Sequence, residues 1–321
     1  MAARYTIGID LGGTNIKGGV CDEGGKLLCQ HSITTQAERG YKHVFGRMAS
    51  LVDELIPKGG LSRGDIAGVG IGAPGPMSHR LGVIHSAPNL PGFVNVPLRD
   101  QFAAATGLPT TLENDANAAA FGEFAAGAGK DVESLVMLTL GTGIGGGVVL
   151  DGQLWRGRYD NAGEIGHMIV VPNGRACPCT QAGCLERYAS ANAVGERLVE
   201  ALAAGEASVL AARRQAGEAI TSRDVLEAMN GGDALAARIW DEACFYLALA
   251  CVNIQHMFNP QIVVLAGGLI NAGPRLLEPV QRHFDAQRWK IADDHPQIVF
   301  ATLGTDAGTI GAAMLARAAG G

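Results

Sequence analysis

Three cysteines and a histidine share one short stretch of the chain. Cys177, Cys179 and Cys184 make a C-x-C-x4-C cluster, and His167 lies ten residues upstream. Three thiolates and one imidazole are the donors of a closed tetrahedral zinc site. Such a site leaves no coordination position open, so its ion is expected to be structural rather than a Lewis acid. Ordinary buried thiols are the competing reading. That reading accounts for Cys21, Cys29, Cys244 and Cys251, which are scattered through apolar segments, better than it accounts for the cluster. Glu164 precedes His167 by three residues and Glu186 follows Cys184 by two, so a metal that fixes this loop also fixes both carboxylates. If one ring nitrogen of His167 binds the metal, the other is left to face a substrate.

A second group sits at Glu113-Asn114-Asp115-Ala116-Asn117, between a short apolar strand and an Ala-rich helix. Asn or Asp before a helix is commonly an N-cap, which is the simpler reading. The chemical reading makes Asp115 a general base for a substrate hydroxyl and Asn114 a hydrogen-bonding partner of that substrate. Ligands gather at such strand-to-helix junctions of α/β sheets. Phosphoryl transfer depends mainly on positioning and charge stabilisation, so one well-placed carboxylate suffices for it. Glu164, His167 and Glu186, with Asn89 in the Pro-bounded loop Ala87-Pro88-Asn89-Leu90-Pro91, supply further donors and acceptors of the kind a sugar requires.

Glycine-rich turns form a third group. YTIGIDLGGTNIKGGVC reads as a strand, a tight turn at Gly12-Gly13-Thr14 and a returning strand. LVMLTLGTGIGGGVV, from Leu135, repeats the design around Gly141-Thr142-Gly143, and Ala266-Gly267-Gly268 follows the apolar run Ile262–Leu265. Glycine turns let backbone N–H groups approach phosphate oxygens, threonine adds a hydroxyl donor, and Asp10 is placed to hold Mg²⁺. Any one such turn is more simply a connection between strands; three with matching context are not. None is a Walker-A loop or a GxGxxG fingerprint, because these turns join strands and no Gly-Lys-Ser/Thr follows.

The elements that must carry these groups alternate strand and helix, which indicates an α/β architecture. Helices are expected at Gly46–Ile56, Leu98–Thr106, Ala116–Ala126, Glu186–Ala203, Thr221–Met229 and Ala234–Met257. Strands are expected at Tyr5–Asp10, Ile16–Cys21, Ile66–Ile71, Thr110–Leu112 and Ile262–Ala266. Two like hairpins about a domain apart suggest a duplicated fold. The division is expected near Gly127-Ala128-Gly129, giving domains at 1–128 and 129–321, with the last helix able to return to the first domain.

Composition narrows the partners. A net charge of −6 offers no basic stripe for nucleic acid. The 46 glycines require many tight turns or close backbone approaches. Met1–Asp10 has no apolar stretch of the length a secretory signal needs, so a reducing, cytoplasmic setting is expected. Ala243–Pro274 carries no charged residue, yet polar residues interrupt it and its apolar run Ala243–Val252 is too short to span a bilayer. No membrane partner is expected.

The ordered set DLGGTN, GAPGP, LENDANAAAFGEF, GTGIGGGVV, AGEIGH, CPCTQAGCLE and LAGGL resembles the ROK family (repressors, open reading frames and kinases), and most closely its bacterial glucokinases. The resemblance spans almost the whole chain. It implies a duplicated actin-like ATPase (ribonuclease H-like) fold, with ATP-Mg²⁺ and a hexose held in a central cleft between two domains. It implies Asp115 as catalytic base and Asn114, Glu164, His167 and Glu186 as hexose contacts. His167, Cys177, Cys179 and Cys184 match the family's zinc ligands. Asp10, Gly12, Gly13 and Thr14, with Gly141, Thr142 and Gly143, match its phosphate loops. Asn15 stands where many members have lysine, and Thr180 replaces a common glycine after the second cysteine of the cluster. Glucose is the expected substrate; fructose, mannose, allose and N-acetylhexosamines are the alternatives. A sugar-responsive repressor of the family would need a helix-turn-helix domain ahead of a motif that here begins at Asp10. A filament-forming or chaperone-like ATPase would not need the metal loop. The resemblance also implies a dimer or tetramer.

Overall fold

Strand β1 (Tyr5–Leu11) buries Ile7, Ile9 and Leu11 on one face and turns Gly8 to the other. It pairs antiparallel with β2 (Asn15–Cys21), which pairs antiparallel with β3 (Leu27–Thr34). On its other side β1 runs parallel to β4 (Ile66–Ala73). Three short strands, β5 (Met77–Ser78), β6 (Val83–Ser86) and β7 (Val94–Val96), make a small antiparallel sheet. Then β8 (Thr110–Asn114) adds parallel to β4, giving the order β3-β2-β1-β4-β8. The second large sheet contains β9 (Leu135–Leu140), β10 (Ile144–Leu150), β11 (Gln153–Leu154), β12 (Ile262–Ala266) and β13 (Gln297–Phe300). Its order is β11-β10-β9-β12-β13. Counted from its own first strand, each sheet reads 3-2-1-4-5. This is the duplication that the paired glycine hairpins predict.

The computed structural model describes residues 4–87, 89–290 and 293–320; Pro88, in the loop that carries Asn89, lies outside them. The chain forms two compact units. One comprises Met1–Leu135, Gly147–Gly163 and Ala301–Gly321, and the other Val136–Gly146 and Glu164–Phe300. Where the sequence suggests one break near Gly129, the units interleave.

Within the first unit, glycine explains why the chain returns. Helices Tyr41–Lys58 and Leu98–Thr106 cover one face of the sheet, with Val44, Met48, Leu51, Leu55 and Phe102 in its core. The opposite face is nearly bare backbone. A Cβ at Gly8 would stand 1.8 Å from the Thr309 carbonyl oxygen, and one at Gly70 would stand 1.8 Å from that of Ala312. Helix Ala307–Gly320 therefore lies directly on β1 and β4. It meets helix Asp115–Ala126 just as closely, since a Cβ at Gly311 would stand 1.7 Å from the Ala118 carbonyl oxygen. Gly8, Gly70 and Gly311 are glycines because this close seating leaves no room for a side chain.

In the second unit the expected helix Glu186–Ala203 is two helices, Glu186–Ala189 and Ala191–Ala203. Ser190 is extended and its hydroxyl accepts the Ala193 N–H at 3.1 Å, so it caps the second helix and ends the first. Helix Ala234–Phe258 is the unit's longest and buries Leu235, Ile239, Trp240, Leu247 and Ile254. Among the described residues, no helix is long and apolar enough to cross a membrane.

Candidate functional site

In the first unit, Asp10 lies near the carboxyl end of β1 and Asp115 just beyond that of β8, with β4 between them. Gly72 of β4 permits this. A Cβ there would meet the Cβ of Ala118 at 3.2 Å and the Cα of Asp115 at 3.8 Å. Asn114 caps the helix: its Oδ1 accepts the N–H groups of Ala116 at 2.9 Å and Asn117 at 3.2 Å. The capping reading thus holds for Asn114, while its amide NH₂ stays outside the cap. Asp115 is the first helical residue, and its Oδ1 accepts the Ala116 N–H at 2.8 Å.

Burial pushes the Asp115 carboxyl above its ordinary value, against the opposing pull of backbone hydrogen bonds. Burial, and then the charge of Asp115, push Asp10 up to about 6, with Lys17 pulling the other way. Gly12, Gly13 and Thr14 form the turn between β1 and β2, and Asn15 opens β2. The turn is fixed from behind by Thr35, which donates its hydroxyl to the Gly12 carbonyl at 2.7 Å and its N–H to that of Thr14 at 2.8 Å. Asn89 comes to the same place, since a Cβ on Gly13 would lie 3.2 Å from the Cβ of Asn89.

Sequence reasoning passed over the partners of this group. Glu113 is buried, and its carboxylate touches Asn114, Asn117, Arg156 and His79. Nothing in the sequence links it to Arg156, 43 residues on, because that contact depends on residues 147–163 folding back into the first unit. Gly308 also went unread. A Cβ there would sit 3.0 Å from the Asp10 carboxyl carbon, so glycine leaves room beside that carboxylate.

The second unit gathers the other expected residues. Gly141, Thr142 and Gly143 form the turn between β9 and β10, closed by the Gly141 N–H to the Gly143 carbonyl at 3.0 Å. Glu186 is tied to this turn, because its Oε2 accepts the Ile144 N–H at 2.9 Å. A side chain on Gly143 would clash with that carboxylate at 2.2 Å. Gly267 has φ 88° and lies against Leu140 at the end of β9, where a Cβ would come within 2.6 Å of the Leu140 carbonyl oxygen. Gly268 opens the short 3₁₀ turn that follows.

Glu164 leads the 3₁₀ turn Ile165–His167. His167 Nδ1 lies 3.7 Å from the Cys177 sulfur, and the sulfurs of Cys179 and Cys184 are 3.6 Å apart. All four donor atoms lie within 4.8 Å of one another. A regular tetrahedron with Zn–S near 2.3 Å has edges of about 3.8 Å, so these residues fit a zinc ion, and Nδ1 is the nitrogen that faces it.

Two sheets of one strand order, each bearing a glycine turn after its first strand, define the actin-like ATPase fold. The chain belongs to the ROK family, whose model matches residues 6–319. It is similar to the glucokinase of Halalkalibacterium halodurans, 36% identical over 318 residues, covering 99% of this chain and 96% of that one. Among solved structures it is similar to the ROK hexokinase of Thermus thermophilus, with 35% identity, a TM-score of 0.84 and 98% of both chains covered. It is also similar to a ROK family glucokinase from Streptomyces griseus, solved with glucose and AMPPNP. That match has 34% identity and a TM-score of 0.76, and covers 98% of this chain and 99% of that one.

Proposed function

We propose that this protein is an ATP-dependent hexose kinase that converts glucose to glucose 6-phosphate, with Asp115 as general base. The carrying observation is a half-buried carboxylate with a raised pKa, held at the first residue of a capped helix beside a second carboxylate. Similarity to glucokinases over nearly the whole chain supports the substrate. Asp115 takes the proton of the attacking sugar hydroxyl as its oxygen bonds to the γ-phosphorus. The bond from that phosphorus to the bridging oxygen breaks, and ADP leaves.

The amide of Asn114, with Asn89, Glu164, Glu186 and the second ring nitrogen of His167, orients the sugar hydroxyls. The turns at Gly12-Gly13-Thr14-Asn15, Gly141-Thr142-Gly143 and Gly267-Gly268 offer backbone N–H groups and small surfaces to the nucleotide. Asp10 would hold Mg²⁺, and two neighbouring carboxyls with Lys17 pulling against them are a donor set that suits a divalent cation. Bound Mg²⁺ neutralises charge on the phosphate oxygens. His167, Cys177, Cys179 and Cys184 would hold zinc as a brace for the loop that presents Glu164 and Glu186. Residues 1–128 then carry the base and first phosphate loop, and residues 129–321 the second loop and the zinc site. A cytoplasmic dimer or tetramer belongs to the same reading.

An ADP-release assay across glucose, fructose, mannose, allose and N-acetylhexosamines tests the proposal. The highest kcat/KM is expected for glucose. No ADP release with any of these sugars would overturn the kinase reading, and a higher kcat/KM for another sugar would overturn glucose alone.

A further inference from the structure

Glu113 is only 4% exposed, and its two oxygens serve different parts of the first unit. Oε1 accepts the Asn114 N–H at 3.1 Å and the Asn117 side-chain amide at 3.0 Å. Oε2 accepts Arg156 Nε at 2.6 Å, and His79 Nδ1 stands 3.5 Å from it while bonding the Leu112 carbonyl at 2.9 Å. On its Oε1 side, the carboxylate holds the two residues that flank Asp115 and Ala116 in the first helical turn. On its Oε2 side, Arg156 and His79 line a cleft of about 270 Å³ whose other walls include Phe121, Leu154 and Leu315.

We propose that Glu113 is a positioning residue for Asp115, held in register by Arg156. The inference rests on the kinase reading of Asp115. A short charge-assisted bond from the guanidinium leaves Oε1 free to receive the Asn114 and Asn117 donors together. Without Arg156, a buried carboxylate loses its countercharge and must turn toward whatever donors or water it can reach. The first helical turn then loses its outer anchor, and the base carboxyl leaves the line of attack. Small misplacements of a reacting group carry large rate costs.

The cleft supplies a test that a merely structural role would not pass. In the full-length enzyme, Arg156→Ala is expected to lower kcat roughly 10- to 100-fold while the KM for ATP changes less than about threefold. Methylguanidinium, small enough for the cleft, is expected to restore kcat several-fold in Arg156→Ala. It should do nothing for wild type or for the double variant Glu113→Gln/Arg156→Ala. The double variant is expected to be no slower than the slower single variant, since the two side chains act as one unit.

Hydrogen exchange gives a readout that needs no activity. Amides of residues 114–118 should exchange faster in Arg156→Ala and slow again with methylguanidinium. If Arg156→Ala does not fold, Arg156→Lys is used, with a smaller loss of kcat and the same local exchange. Unchanged kcat, rescue that persists in the double variant, or unchanged exchange at 114–118 each overturns the proposal. Absence of sugar phosphorylation by wild type would overturn the kinase reading alone, and the exchange result would still decide whether Glu113 and Arg156 hold this turn.

Discussion

Asp10 and Asp115 lie at the ends of β1 and β8, on either side of β4, with their carboxyls close enough that one feels the other's charge. Burial first, and then Asp115, lift Asp10 to about 6 from an ordinary 3.8. The folded protein therefore binds this proton more tightly than the unfolded chain does. Asp10's own contribution to stability is therefore fully present below pH 3.8 and is lost as pH rises through about 6, the reverse of the usual carboxylate case. In Mg²⁺-free buffer, Asp10→Asn is expected to be more stable than wild type at pH 7.5, by at most ~3 kcal/mol. That advantage should shrink toward pH 4. Urea melts at both pH values measure it, and an equal difference at the two would contradict the electrostatic account.

Asp115→Asn removes the proton acceptor but keeps an oxygen for the Ala116 N–H, so the helix start should survive. The expected result is a loss in kcat of roughly 10²- to 10⁴-fold with a melting temperature no lower than that of wild type, since the variant also removes a charge that burial disfavours. In wild type the acid limb of kcat should lie above the ordinary carboxylate value of 3.8, because burial raises this group. Near-normal turnover in Asp115→Asn would remove it from the role of base.

Zinc content is directly measurable. Elemental analysis should find about one zinc per chain, and Cys177→Ser should lose it, because three donors hold the ion far less well than four. The expected consequence is faster proteolysis within residues 168–185 and a raised hexose KM. A metal-free preparation with normal kinetics would show that the brace is dispensable.

How much of this was legible in sequence depended on distance along the chain. The zinc residues and the Asn114-Asp115 pair are local motifs, and the structure brings His167 to the cysteines across ten residues. The extent of the β3 strand was not read, because its residues alternate only between half-buried and exposed and give a weak apolar signal. Glu113–Arg156 and Gly308–Asp10 were invisible for another reason: they depend on where segments 147–163 and 301–321 rejoin the first unit. No local spacing encodes that return. The glycines of β1 and β4 recorded it, but only a helix seated on them gives their positions meaning.

Thr180 occupies a backbone conformation that disfavours it. It has φ 76°, where a β-branched side chain is strained and glycine is at ease. Thr180→Gly should therefore raise stability by about 1 kcal/mol, with zinc content unchanged. A fall in melting temperature would mean that the hydroxyl or methyl makes a contact worth more than the strain.

Two glycines should respond to alanine in opposite directions. Gly46 lies exposed within helix Tyr41–Lys58, and a Cβ there meets nothing within 4 Å. Gly46→Ala should stabilise the protein by about 1 kcal/mol through helix propensity and reduced freedom of the unfolded chain. At Gly70 the added Cβ would meet the Ala312 backbone at 1.8 Å, and neither the strand nor the helix can yield without the other. Gly70→Ala should cost at least about 3 kcal/mol, at the upper end of overpacking, and free helix Ala307–Gly320 from the sheet. Hydrogen exchange should then rise first in that helix. If both alanines shift stability in the same direction, bare backbone at Gly70 is not what seats the last helix.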